Sequence, residues 1–181
     1  MIKGNFYNHE IHRRRSIRLK GYDYNQAGAY FVTICVQDRR PLLGKIEAGI
    51  NNLSVYGKVV EDIWNYLPTH FSTVELDASV VMPNHFHGIV ILTEYRAVVK
   101  PKRTKESRPF YERKTQLGAV IAYFKYQTTK LINQRRNSPG VRLWQRNYYE
   151  HIIRNERALN TIRNYIADNP RRWDIDRFHP H

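Results

Sequence analysis

Residues 71–93 leave this chain the least freedom. Val74, Leu76, Ala78 and Val80 alternate with more polar neighbours, which is the period of a strand with one buried face. From Phe86 the run Ile89-Val90-Ile91-Leu92 is β-branched and apolar enough to be a second strand. Met82, Pro83 and Asn84 stand between them. Proline cannot donate to a sheet ladder, so this break reads as a turn, and a short turn joins antiparallel neighbours. A lone two-stranded pair is not stable in water, so the rest of the chain must extend it and cover it.

The remaining segments can do that. AYFVTICVQ, Ala29 to Gln37, is a third strand, and DRRPLLG after it reads as a turn. Residues 45–53 are ambiguous, with a short strand ending at Asn51-Asn52 as one reading. Val55, Val59, Ile63, Trp64 and Leu67 have helical spacing, and Pro68 is expected to end that helix. Leu117, Val120, Ile121, Phe124, Leu131 and Ile132 mark a second helix over 116–134. Leu159, Ile162 and Ile166 mark a third over Glu156–Asp168, stopped by Asn169-Pro170. Residues 141–153 are aromatic-rich, with room for a short strand. The order predicts an α+β sandwich, a small antiparallel sheet with helices on one face. One domain over 27–173 is expected, with a basic arm at 1–26 and a tail at 174–181.

Charge speaks to the partner. Thirty Lys and Arg against sixteen Asp and Glu give +14, which favours a polyanion over an anionic membrane surface. Candidate phosphate contacts are Arg13, Arg14 and Arg15 in the arm and Lys102 and Arg103 in the basic stretch 94–115. Arg142, Arg146, Arg154, Arg157, Arg163, Arg171 and Arg172 gather around the third helix. A solvated face would carry the same residues. Trp144, Tyr148, Tyr149 and Trp173 suit either stacking on unpaired bases or core packing. The single cysteine, Cys35, excludes an internal disulfide and a cysteine-cluster zinc site. No apolar leader opens the chain and no run is long enough to span a bilayer, so a cytoplasmic protein without a membrane partner is expected. Phosphate-loop and Gly-x-Ser-x-Gly motifs are missing, which disfavours those chemistries.

His85 and His87 are two apart at the start of a strand, so they share a face and both imidazoles can reach one divalent ion. An ordinary histidine pair on a sheet face fits the same spacing. Tyr165 lies near the end of the third helix, with Asn169 one turn on. A phenol can serve as nucleophile in phosphoryl transfer if its high pKa is offset, and an amide oxygen can ligate a metal. A rim tyrosine and a C-cap asparagine account for the two residues equally well.

Three segments together resemble the REP-associated tyrosine transposases: MPNHFHGIVIL at 82–92, LWQRNYYEHIIRNE at 143–156 and YIADNP at 165–170. FKYQTTKLIN at 124–133 also resembles the helix that precedes the family's tryptophan-glutamine segment, and the resemblance spans about residues 27–173. It implies a ferredoxin-like α+β sandwich with a central antiparallel sheet and one helix carrying the catalytic tyrosine. His85 and His87 match the metal-binding histidine-hydrophobic-histidine pair, and Tyr165 matches the nucleophile. Asn169 stands where insertion-sequence relatives carry a glutamine ligand, and the shorter side chain departs from that pattern. Glu94 and His151 are less favoured substitutes. The implied cofactor is Mg²⁺ or Mn²⁺, and the implied partner is single-stranded or hairpin palindromic DNA. The implied reaction is cleavage and rejoining through a 5′-phosphotyrosyl intermediate. The family tilts the expectation toward a monomer when free, with a dimer that exchanges Tyr165 as the alternative. A non-catalytic nucleic-acid-binding protein and a metal nuclease using water are the rival functions.

Overall fold

The computed structural model describes residues 27–94 and 116–180. Arg13, Arg14, Arg15, Lys102 and Arg103 therefore lie outside the described residues. Four strands make the central sheet: β1 (Gly28–Cys35), β4 (Val74–Val81), β5 (His85–Leu92) and β6 (Tyr149–Ile153). Their order is β4-β5-β1-β6 and every pairing is antiparallel. With α1 (Val55–His70) between β1 and β4, and α2 (Leu117–Arg135) between β5 and β6, this is the ferredoxin-like βαββαβ arrangement. The third helix, α3 (Glu156–Asp168), follows it.

Strand alternation gives the sheet two apolar faces. Tyr30, Val32, Ile34, Phe86, Val90 and Leu92 point to one side and pack with Val59, Val60, Trp64, Leu67, Val120, Ile121 and Phe124 of α1 and α2. Phe31, Ile89 and Ile153 point to the other and meet Ile166 of α3. The expected placement of all helices on one face is thus corrected: α3 covers the opposite face. Helical periodicity identifies a buried stripe but not which side of a sheet receives it. The α3 seam is thin. Of its residues only Ile166 is buried, worth about 1.5–3 kcal/mol, while Ala158, Leu159 and Ile162 are half-buried.

Gly88 holds the histidine strand close to α1. A Cβ there would lie 2.5 Å from Trp64 Cζ2 and 2.8 Å from Phe86 Cε1, and both rings are fully buried. The ambiguous stretch 45–53 is a hairpin of β2 (Gly44–Glu47) and β3 (Ile50–Leu53). Ala48 and Gly49 make its turn with φ of 50° and 76°. Alanine at positive φ is the reason no turn signal was visible. The first helix also runs past Pro68 to His70. Its end is closed by the Phe71 N–H on the Leu67 carbonyl, so the proline falls in the last turn, where it costs the helix little continuation.

The tryptophan-glutamine segment is a strap. Trp144 is buried and its Nε1–H donates to Thr128 Oγ1 of α2 at 2.8 Å. Gln145 donates to the Val36 carbonyl, and Lys125 Nζ donates to the Gln145 and Arg146 carbonyls. Burial of Lys125 pulls its pKa down to about 8, helped by the nearby Arg142 charge. Residues 170–175 form a short 3₁₀ turn. The tail begun at 174 remains packed as far as Phe178, which is buried. Among the described residues, no helix is long and apolar enough to cross a membrane.

Candidate active site

The site lies on the α3 face, where β5 begins. His85 and His87 share that face, and both side chains are fully buried. Their rings lie 4.6 Å apart at an interplanar angle of 72°. Burial drives the His85 pKa down to about 3, helped by the Arg177 charge and opposed by the Asn169 amide. Burial likewise holds His87 well below its ordinary value, with His85 and Arg177 adding to the effect. Both imidazoles are therefore neutral, the state a metal ligand needs.

Each imidazole is oriented from behind. Asn84 donates its amide N–H groups to the Arg39 and Phe178 carbonyls, at 3.2 and 2.6 Å. That leaves Asn84 Oδ1 to accept from His85 Nδ1–H at 2.8 Å. His85 Nε2 then carries its lone pair into the site, buried and without a hydrogen-bond partner. Thr33 Oγ1 of β1 contacts His87 Nδ1 at 2.8 Å. On the far side of that ring, His87 Nε2 lies 3.3 Å from the Tyr165 hydroxyl. Assigning the proton to Nδ1, toward Thr33, lets Nε2 accept from the phenol.

Phe31 organises the aromatic groups. It stacks on His87 with centroids 5.3 Å apart and meets Tyr165 edge-on at 6.0 Å. Tyr149 meets the same ring edge-on at 6.4 Å and is exposed. Tyr165 itself is 37% exposed, with its hydroxyl against His87 and part of its side chain open to solvent. Burial raises its pKa, while the Asn169 amide and the Arg177 and Arg172 charges pull the other way.

Asn169 follows α3 directly and is buried. Its Oδ1 has no hydrogen bond of ordinary geometry, although the amide faces both His85 and Tyr165. Two polar atoms, His85 Nε2 and Asn169 Oδ1, are thus orphaned inside one small site. A buried orphan costs about 1–3 kcal/mol, and a shared cation would satisfy both at once. A mixed set of imidazole nitrogens and an amide oxygen can hold a divalent cation, the nitrogens suiting Mn²⁺ better than Mg²⁺. Among the described residues, no three His, Cys, Asp or Glu side chains converge to hold a metal. Beside the two histidines, the Asn169 amide oxygen is a further donor in the site without a partner. Phe178 closes the other side, 4.6 Å from the His85 ring, with the Arg177 guanidinium 4.5 Å above its own face.

The sequence brought His85, His87, Tyr165 and Asn169 to notice, and the fold brings the four together. It gave no sign of Asn84, Thr33, Phe31, Arg39 or Arg177 as neighbours of the site. Asn84 stood next to the histidines in the turn motif, which was the one available hint. His151 is exposed on β6, opposite Phe31. Arg142, Arg146, Arg154, Arg157, Arg171 and Arg172 are all exposed. Arg163 is instead engaged by Asp77 through two short contacts, 2.9 and 2.6 Å. Trp144 and Trp173 are buried, so core packing occupies them, whereas Tyr149 keeps an open face.

No family model matches the chain. A Haemophilus influenzae protein described as "Uncharacterized protein" is 38% identical over 182 residues, covering 96% of this chain and 97% of that protein. A second protein of the same organism, "Putative REP-associated tyrosine transposase", is 28% identical over 159 residues, covering 82% and 73%. The solved structure of a REP-associated tyrosine transposase bound to a REP hairpin superposes with a TM-score of 0.58 at 20% identity. That match covers 86% of this chain and 74% of the other, and it establishes the shared fold.

Proposed function

We propose, because the chain belongs to the family of REP-associated tyrosine transposases, that its site cleaves and rejoins single-stranded or hairpin palindromic DNA with Tyr165 as nucleophile. One observation carries the reading. Two neutral, separately oriented imidazoles, an orphaned amide oxygen and a half-exposed phenol meet on one face of the sheet. The partners behind the two rings leave both Nε2 atoms turned inward, the orientation that outer partners give metal-ligating histidines.

His85, His87 and Asn169 would hold the Mg²⁺ or Mn²⁺ ion, His87 Nε2 giving up its contact with the Tyr165 hydroxyl to do so. When bound, such an ion supplies positive charge to the scissile phosphate and lowers the barrier to its attack. The chain's own residues do the rest. Asn84 and Thr33 keep both Nε2 atoms aimed into the site. Arg177 and Arg172 place positive charge near Tyr165, countering the burial that disfavours its phenolate. Tyr165 Oη attacks phosphorus, the bond from phosphorus to the 3′-oxygen breaks, and a 3′-hydroxyl leaves. The phenolic proton passes to water on the open side of the ring, and the leaving oxygen takes a proton from water. The phosphotyrosyl ester keeps the exchange energy, so a 3′-hydroxyl can reverse the step without ATP. Exposed Arg142, Arg146, Arg154, Arg157, Arg171 and Arg172 bind the backbone, and Tyr149 offers a face to an unpaired base.

Tyr165→Phe tests this reading. Strand cleavage of a labelled hairpin in Mn²⁺ should disappear while hairpin affinity stays within about twofold. Cleavage at the wild-type rate would remove Tyr165 from its role.

A further inference from the structure

β4 pairs regularly with β5 except at one place. Leu76 faces Val90 and Ser79 faces Gly88, so Asp77 and Ala78 together oppose the single residue Ile89. This is a bulge, and bulges re-aim side chains. Asp77 Oδ1 accepts from its neighbour's backbone, Ala78 N–H, at 2.7 Å. Both carboxylate oxygens then receive Arg163 of α3, Nε on Oδ1 at 2.9 Å and Nη2 on Oδ2 at 2.6 Å. The third guanidinium nitrogen, Nη1, donates to Asn160 Oδ1 at 2.9 Å and approaches Glu156 Oε1 at 3.5 Å. Each nitrogen of Arg163 has a partner within the protein, so four of its five N–H donors are engaged before any phosphate approaches.

Arg163 stands two residues before Tyr165. At about 100° per residue, the two fall on opposite flanks of the seam formed by Ile162 and Ile166. That seam fixes how close α3 lies to the sheet, but apolar contact is non-directional and resists rolling weakly. A roll of about 10° would carry a tyrosine hydroxyl, some 8 Å from the helix axis, through about 1.4 Å. Displacements of that size at a reacting atom are enough to cost about 100-fold in rate.

We propose that Asp77, presented by the β4 bulge, is a positioning residue for Tyr165. Through its two-point grip on Arg163 it fixes the roll of α3 and holds the phenol against His87. The link to rate rests on the nucleophile reading above; the link to geometry does not. Arg163 therefore acts inside the protein rather than on DNA.

The experiment uses the full chain and the variants Asp77→Asn and Arg163→Lys. The lysine keeps the charge but cannot make the fork. Three quantities are measured below the melting temperature of each variant. These are the single-turnover rate of covalent adduct formation at saturating Mn²⁺ and hairpin, the hairpin affinity with its salt slope, and the ¹⁵N signal of His87 Nε2 in metal-free protein. Both variants should form adduct 10- to 100-fold more slowly, with affinity and salt slope unchanged. Their His87 signal should move to where Tyr165→Phe alone places it. A merely structural pair would lower the melting temperature and leave the rate of the folded protein intact, which would overturn the proposal. A reduced salt slope in a third variant, Arg163→Gln, which drops the charge, would overturn it too, by making Arg163 a phosphate contact. If wild type forms no adduct, the nucleophile reading fails, and the His87 signal alone decides the clamp. An unmoved signal in both variants refutes it.

Discussion

Asn84→Ala alters the site without replacing any of its four principal residues. The wild-type amide makes three hydrogen bonds: one to His85 Nδ1 and two to the Arg39 and Phe178 carbonyls. Truncation leaves His85 Nδ1–H and the Phe178 carbonyl buried without partners. At about 1–3 kcal/mol each, the fold loses about 2–6 kcal/mol. The imidazole also loses the contact that sets its tautomer, and the loss of such an outer partner weakens metal binding by about 10- to 100-fold. These two effects separate in a thermal-shift titration. At a Mn²⁺ concentration of about 100 times the wild-type dissociation constant, binding stabilises the folded chain by about 2.7 kcal/mol. A site weakened 10- or 100-fold gains about 1.4 or 0.4 kcal/mol at the same concentration. The metal-induced rise in Tm should therefore be smaller by about 3–9 °C in the variant, over and above its lower starting Tm. Thr33→Val removes the matching contact from His87 with less damage to packing and should show the same reduced response. If both variants stay folded and respond to Mn²⁺ as wild type does, the imidazoles are not held by these partners and the account of the site is wrong.

Two more outcomes follow from the charges. Arg171→Gln with Arg172→Gln should weaken hairpin binding and lower the slope of log K against log salt by about 0.7 for each lost phosphate contact, read by filter binding or anisotropy. An unchanged slope would place both arginines off the DNA. Asp77 gives a pH effect of known sign. Its carboxyl is held below its ordinary value first by the hydrogen bond from Arg163. The stability it contributes is complete above the unfolded pKa, about 3.9, and is lost as pH falls through the lower folded value. Asp77→Asn should therefore flatten the acid limb of the Tm profile and leave its shape near neutrality unchanged; an identical acid limb would contradict the pairing.

What could be read from the sequence is what local pattern controls. The alternation of Val74 to Val80, the proline break and the Ile89–Leu92 run determine an antiparallel pair, and the pair is there. Leu159, Ile162 and Ile166 gave α3 its bounds because a clear amphipathic period was closed by Asn169-Pro170. The hairpin of β2 and β3 was not legible because Ala48 adopts a positive φ that alanine seldom takes. The side of the sheet that receives α3 was hidden for another reason: periodicity is a property of one element, whereas docking belongs to two. The same limit applies at the site. His85 and His87 lie two apart and announce each other, but Thr33 and His87 are 54 residues apart. Asp77 and Arg163 are separated by 86, and only the fold makes them neighbours. Arg163 was indistinguishable from the exposed arginines around it until its guanidinium could be seen on a carboxylate.

The central claim is that Tyr165 becomes covalently joined to DNA. The most direct test incubates the full chain with Mn²⁺ and a single-stranded hairpin labelled on the 3′ side of its cleavage site, then denatures, digests and sequences the adduct by mass spectrometry. The account predicts a denaturation-resistant species in which a 5′-phosphate is esterified to Tyr165. Cleaved hairpin with no protein-linked DNA, or a link at any other residue, would contradict it.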